Sequence, residues 1–339
     1  MAVLNKEYNK FDKEIKLNQT RKDSLNVSRR ELRKKIKKWF KENKPNEIQP
    51  KFYSQGSFEM NTTINPIVEY DSEDNVLRKY DLDDGVYFIY SRDGDTKQSI
   101  NTWHDWIFKA TENHTGKDSI RKTTCVRVMF SDGHHIDLPI YYKEYGTIEL
   151  AHKSKGWIIS DPKEFYEWFN EEKKNKPRLE SIVRCLKAWK NFRELKNSNL
   201  KLPSGFELTI LATNNYVDAD NLDESFRKTI EAIDKELNKY NGFKCLRPTT
   251  PKNEDVFENY SETRKSNFLL VLNSLKEDCQ KASEEKNFKK ASEILIDKQF
   301  GSRFPKGEDR DEQSKSNSLR ESLAAAAIKP KPYGSSRAD

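Results

Sequence analysis

The chain has 339 residues, 34% of them hydrophobic and 35% charged, with 18 Phe, 14 Tyr and 6 Trp; it can bury a sizeable core and is too aromatic for wholesale disorder. No run of about 18 apolar residues exists to form a membrane-spanning helix, and the first residues lack the apolar stretch of a secretion signal, so a cytoplasmic protein is expected. The net charge of +7 is local, because residues 1–50 carry 15 Lys and Arg against 7 Asp and Glu while the remainder is nearly neutral.

That excess falls on SRRELRKKIKKWFKEN, where Leu32, Ile36, Trp39 and Phe40 mark one apolar helical stripe and Ser28 with Glu31 has the spacing of a capping box at the helix start. The charges read either as the solvated face of a core-packed helix or as a nucleic-acid or partner surface. Pro45 and Pro50 end the pattern. Strand signals follow over Leu82–Tyr90 and over Cys125–Phe130 with His135–Tyr142, the last two joined by Ser131-Asp132-Gly133 as a hairpin, which predicts an antiparallel component in a mixed sheet. From Asp161 onward the period becomes helical, with Pro162 and Pro177 near helix starts. The four cysteines, Cys125, Cys185, Cys245 and Cys279, stand at least 34 residues apart and read as reduced structural thiols.

Three divisions result: a sheet-bearing lobe with the basic helix over 1–160, a helical lobe over 161–300, and a tail over 301–339 whose composition suits a mobile segment. No linker separates the lobes, so they are expected to share a cleft.

The chemistry-bearing residues cluster in the first lobe. In YDLDDGVYFIY, Asp81 and Asp83 stand two apart at a strand start, and period-two geometry turns both carboxylates to one face while Asp84 points to the other. Paired carboxylates repel unless cations lie between them, and hard oxygen ligands suit Mg2+ or Mn2+. Asp137, in the otherwise apolar HHIDLPIYY, is the candidate third acid, since an unpaired charge there is costly. Upstream, Gln55-Gly56-Ser57-Phe58 offers a glycine that lets backbone approach a phosphate and a hydroxyl to bind its oxygens. His134-His135-x-Asp137 also has the residue types of a metal phosphohydrolase, but no other His is placed to complete such a site.

Gly-Ser, then Asp-x-Asp at a strand start, then a lone Asp in a later strand, resembles the polymerase-beta-like nucleotidyltransferases. Q-G-S-F, D-L-D-D-G-V-Y-F and H-I-D-L-P-I-Y-Y narrow the resemblance to the cGAS/DncV-like cyclic-dinucleotide synthases of bacterial anti-phage (CBASS) defence, over roughly residues 28–300. The resemblance implies an α+β fold in which a mixed-sheet nucleotidyltransferase lobe packs on a helical C-terminal lobe, with the active site between them. It implies two Mg2+ or Mn2+ ions on Asp81, Asp83 and Asp137, and nucleotide contacts from Gln55, Gly56, Ser57, Ser160, Lys187 and Ser204. Ser160, before Asp161-Pro162, equally has the position of a helix cap, and Lys187, on a helix with Arg184 and Lys190, that of a solvated lysine. Arg127 is a further candidate base or phosphate contact. Asp255 is a candidate to read a base edge, as in some relatives, or else a helix-start residue. ATP and GTP are the expected substrates and cyclic GMP-AMP the expected product, acting on a downstream effector. A cyclic trinucleotide or oligoadenylate product, and a nucleic-acid-activated sensor using Lys34 to Lys41, stay open. Conjugation of the C-terminal tail by an E1/E2-like protein is a further expectation from the resemblance.

Overall fold

The strand expected over His135–Tyr142 is buried along eight consecutive residues, the pattern of a strand covered on both faces. The computed structural model, which describes residues 3–67, 69–70, 76–77 and 80–309, puts it at the centre of a sheet. The elements run α1 (Asn5–Ile15), α2 (Gln19–Asn43), β1 (Lys51–Gln55), α3 (Gly56–Glu59), β2 (Glu69–Tyr70), β3 (Val76–Leu77), β4 (Asp81–Ile89), α4 (Ile100–Thr111), β5 (Ile120–Arg121), β6 (Cys125–Met129), β7 (His135–Glu144), β8 (Thr147–His152) and β9 (Gly156–Ile159). Helices then take over: α5 (Pro162–Glu172), α6 (Leu179–Lys196), α7 (Gly205–Asn214), α8 (Leu222–Leu237), α9 (Glu262–Glu284) and α10 (Phe288–Leu295).

The main sheet has the order β1-β4-β7-β6-β5, with β8 on the far half of β7 and β9 on β8. Its β4–β7 pair is parallel and its other pairs are antiparallel, the mixed sheet expected. The β6–β7 hairpin turns at Gly133, whose φ of +93° suits a residue without a Cβ. One sheet face carries α2 and α4, where Phe88 stacks on Trp103 at 4.5 Å and Leu32, Ile36 and Phe40 are fully buried.

The capping box at Ser28 and Glu31 is not where the helix begins. Helix α2 starts nine residues earlier, capped by Asn18, whose side chain accepts from the Arg21 N–H at 2.9 Å, and Ser28 lies mid-helix with its hydroxyl 3.2 Å from His134 Nε2. Part of the basic face is spent internally. Arg29 binds Glu59, and Arg33 pairs with Asp84, whose side chain is 1% exposed on the sheet face opposite the other two acids.

A second core fills the helical lobe, and α1, which precedes the sheet in sequence, belongs to it: Tyr8, Phe11 and Ile15 pack with Phe226, Phe300 and Phe304. The expected divisions shift accordingly, since the helical lobe takes α1 from the 1–160 segment and buries Phe304, which falls in the segment expected to be a mobile tail. All four cysteines are free and buried. Among the described residues no helix is long and apolar enough to cross a membrane. Residues 310–339, on which the conjugation expectation falls, lie outside the described residues.

Candidate active site

Sheet register aligns four of the expected residues on one rung. Gln55 of β1 lies opposite Asp83 of β4, Asp83 opposite Asp137 of β7, and Asp137 opposite Arg127 of β6. Residues directly opposite share a face, so all four side chains project to the same side of the sheet. Asp81, two residues before Asp83, joins that face at the exposed end of β4.

The two ends of the rung are held differently. Gln55 is buried, donating from Nε2 to the Tyr141 hydroxyl at 3.1 Å, and Tyr141 stacks on Tyr87 at 4.6 Å. At the other end Arg127 donates from Nε and Nη2 to the two carboxylate oxygens of Asp137, each at 2.7 Å. Between them, burial and the neighbouring charges of Asp81 and Asp137 push the Asp83 carboxyl well above the usual carboxylate range, with Lys187 and Arg127 acting in the opposite sense.

The Gly-Ser turn closes over the acids. Gly56 has φ +72°, and a Cβ there would fall 2.4 Å from Asp83 Oδ2, so the backbone conformation and the contact both demand glycine. Ser57 anchors the loop after it: its carbonyl accepts from Thr62 and Thr63 N–H groups at 2.9 and 3.2 Å, and its hydroxyl meets the Thr63 hydroxyl at 2.8 Å. Lys187 of α6 reaches that loop from the helical lobe, donating to the Thr62 carbonyl at 3.2 Å and its hydroxyl at 3.1 Å. Desolvation lowers the Lys187 ammonium to about 8, against the pull of Asp81 and Asp83. Arg184, one turn earlier, is buried rather than solvated: it pairs with Asp12 of α1 and donates to the Asn61 carbonyl at 2.6 Å, fixing the loop to both helices.

Gln55, Gly56, Ser57, Asp81, Asp83 and Tyr141 from the sheet lobe and Phe165, Lys187, Phe206 and Arg247 from the helical lobe line a cleft of about 550 Å³, with Ser160 between them; Asp137 and Arg127 stand behind that lining. The volume is in the range of nucleotide-sized pockets.

Three expected contacts stand elsewhere. Arg127, a candidate base or phosphate contact, is absent from the cleft lining because its guanidinium is spent on Asp137. The exposed Ser204 is the N-cap of α7 in a complete capping box with Glu207, and its hydroxyl accepts from the Glu207 N–H at 3.3 Å; the cleft is reached instead by the next residues, Gly205 and Phe206. Asp255 neither starts a helix nor faces the cleft, because its Oδ1 accepts from the Cys245 and Phe257 N–H groups at 2.9 and 3.0 Å, tying off a loop. Ser160 lines the cleft, and the helix-capping role beside it falls to Asp161. The sequence reading missed Tyr141, Phe165, Phe206 and Arg247. Nothing local marks Arg247, whose placement depends on long-range packing.

Among the described residues no group of three or more His, Cys, Asp and Glu side chains is arranged to hold a metal ion. The donor chemistry at the rung still fits a hard cation: Asp81 and Asp83 are adjacent acids, one of them strongly disfavoured as an anion in the absence of added positive charge. Asp137 has both oxygens engaged by Arg127. The His134 pair does not build a competing metal centre, as His134 stacks on Phe130 and bonds Asp132 and Ser28.

Residues 50–141 match the family described as the nucleotidyltransferase domain of cyclic GMP-AMP synthase DncV-like proteins. A cyclic GMP-AMP synthase of Escherichia albertii is 29% identical over 213 residues, covering 61% of this chain and 45% of that protein; one of Escherichia coli is 24% identical over 204 residues and 43% of its length. The chain thus spans less than half the length of these curated relatives in alignment. Solved structures share the fold. Vibrio cholerae DncV with a nonhydrolyzable GTP superposes with a TM-score of 0.72 at 20% identity, covering 89% of this chain and 96% of that one. The same protein with a linear pppA(3′,5′)pG intermediate gives 0.73 at 19% identity over the same shares.

Proposed function

Because the chain is a DncV-like nucleotidyltransferase over residues 50–141, we propose that it joins two nucleoside triphosphates into a cyclic dinucleotide, with Asp81, Asp83 and Asp137 as its catalytic acids. The observation that carries this reading is the rung of Gln55, Asp83, Asp137 and Arg127 lying under the Gly56-Ser57 turn, with Lys187 reaching in from the opposite lobe.

Asp81 and Asp83 would hold a divalent cation, Mg2+ or Mn2+, and Asp137 would complete the set for a second one. When bound, such cations would neutralise charge on the triphosphate and acidify the attacking hydroxyl. Gly56 and Ser57 admit the phosphates close to backbone, and the Lys187 ammonium adds a positive charge beside them. Asp137 takes the proton from the acceptor ribose hydroxyl. The resulting oxygen attacks the α-phosphorus of the second triphosphate in line, the new P–O bond forms, and the bond to pyrophosphate breaks. A linear intermediate then turns over and repeats the reaction on its own triphosphate, closing the ring.

ATP and GTP as substrates, and cyclic GMP-AMP as a messenger for an anti-phage effector, are the finer reading, supported by what the relatives are described as making. The test is incubation of the full chain with each labelled triphosphate, singly and in pairs, followed by resolution of phosphatase-resistant products. Asp81→Asn with Asp83→Asn should abolish triphosphate consumption without changing the thermal melt. Product formed at the wild-type rate by that double variant would reject the assignment.

A further inference from the structure

The loop tied off by Asp255 has a second fixed point. While Asp255 binds its base through Cys245 and Phe257, the Thr250 N–H at its tip donates to Glu164 Oε2 of α5 at 2.9 Å. Within the loop, the Arg247 N–H donates to the Glu254 carbonyl at 2.8 Å and the Asn253 N–H returns to the Arg247 carbonyl at 2.9 Å. Arg247 is therefore presented to the cleft by a segment secured at base and tip. Its guanidinium is oriented twice more: Nε donates to Glu254 Oε2 at 2.7 Å, and the carbon of the group lies 4.9 Å from the Phe206 ring centroid. Phe206 in turn packs on Phe165 at 4.6 Å. Among the described residues, neither terminal nitrogen of Arg247 has a hydrogen-bond partner, although the residue lines the cleft.

A guanidinium with one edge held by a carboxylate, one face on an aromatic ring and its terminal N–H groups free is prepared to meet two acceptors side by side. Guanine offers that pair in O6 and N7, whereas adenine sets an amino donor beside N7 and opposes a second donor. The acids and phosphate-binding turn occupy the other wall, so a nucleotide with its triphosphate there directs its base toward the Phe206 side. We infer that Arg247 is a specificity-determining residue, donating from Nη1 and Nη2 to O6 and N7 of guanine in one of the two nucleotide subsites. This rests on the reading of the cleft as a nucleotide site, and Asp255 acts on it only as a positioning residue.

The experiment measures binding and turnover separately. Calorimetry on the full chain, with Ca2+ replacing Mg2+ to suppress chemistry, compares GTP, ATP and 7-deaza-GTP on wild type, Arg247→Ala and Arg247→Lys. The expected result is that Arg247→Ala weakens GTP about tenfold and ATP less than twofold. In the wild type 7-deaza-GTP should bind several-fold more weakly than GTP, and the Ala substitution should weaken it little further. Arg247→Lys should keep the charge without restoring guanine preference. Equal losses for GTP and ATP, or 7-deaza-GTP binding as tightly as GTP in the wild type, would overturn the inference; the second comparison needs no variant to fold. Guanine discrimination with no triphosphate consumption in Mg2+ would reject the proposed reaction and leave Arg247 in place, while turnover without discrimination would reject Arg247 alone.

Discussion

Arg127 clamps both carboxylate oxygens of Asp137 at 2.7 Å, so the acid that faces Asp83 across the sheet is neutralised from the side away from the cleft. Without the guanidinium, two facing acids lose a compensating charge and attract a cation more strongly. Arg127→Met is expected to lower the Mg2+ or Mn2+ concentration for half-maximal triphosphate consumption several-fold, and Asp137→Asn to raise it. Metal titrations of turnover on the two variants and the wild type check the opposite signs.

Gly56 makes a sharper case. A methyl there would strike Asp83 Oδ2 at 2.4 Å, and the backbone stands at φ +72°, so Gly56→Ala must move either the turn or the acid. Misplacement of about 1 Å at a reacting centre costs on the order of 100-fold in rate. Turnover should fall by at least that factor with only a small drop in Tm, measured by steady-state kinetics and calorimetric melting.

Arg33 and Asp84 test stability away from the cleft. Asp84 has its side chain buried to 1% exposure against the guanidinium, and removing one partner of such a pair strands the other charge, at about 3–5 kcal/mol. Arg33→Met should lower unfolding stability by about 3 kcal/mol in urea, since Arg33 itself is partly exposed. Arg33→Met with Asp84→Asn should recover part of the loss.

The pH dependence of folding has an identifiable contributor in His104. It is fully buried, its Nε2 donates to the Ala151 carbonyl at 3.1 Å, Nδ1 has no partner among the described residues, and burial lowers its pKa from 6.5 to about 4. The unfolded chain binds this proton more readily, so the stabilisation is complete above about 6.5 and is lost as pH falls toward about 4. Urea midpoints across that range should drop with acidification, and His104→Gln should flatten the dependence.

The legible part of the molecule was the part whose chemistry and periodicity coincide. Asp81 and Asp83 announce themselves because charge interrupts an apolar strand at a period of two, and the register then brings Asp137 opposite Asp83 as a neighbouring-strand acid should be. Ser28 and Glu31 show the opposite case: a capping spacing arose inside a helix whose actual start, at Asn18, precedes the apolar stripe. Ser204, expected at the nucleotide, caps its own helix instead, and the cleft took its neighbours. Arg247 was silent because a loop residue acquires its surroundings from Phe206, Glu164 and Glu254, up to 83 positions away, and no short window contains them.

The placement of α1 bears on how the protein can be divided. The chain begins in the helical lobe, crosses to the sheet between Ile15 and Gln19, and crosses back between Ile159 and Pro162. Among the described residues two covalent connections therefore join the lobes, and a fragment cut at the second crossing would carry Tyr8, Phe11 and Ile15 away from the aromatic rings they pack against. The sheet lobe released that way would expose the apolar stripe of α1, and the helical lobe would be left with a matching vacancy in its centre. A break at the first crossing leaves both lobes on one chain, so α1 supplied as a separate peptide to a chain starting near Leu17 should restore the helical core.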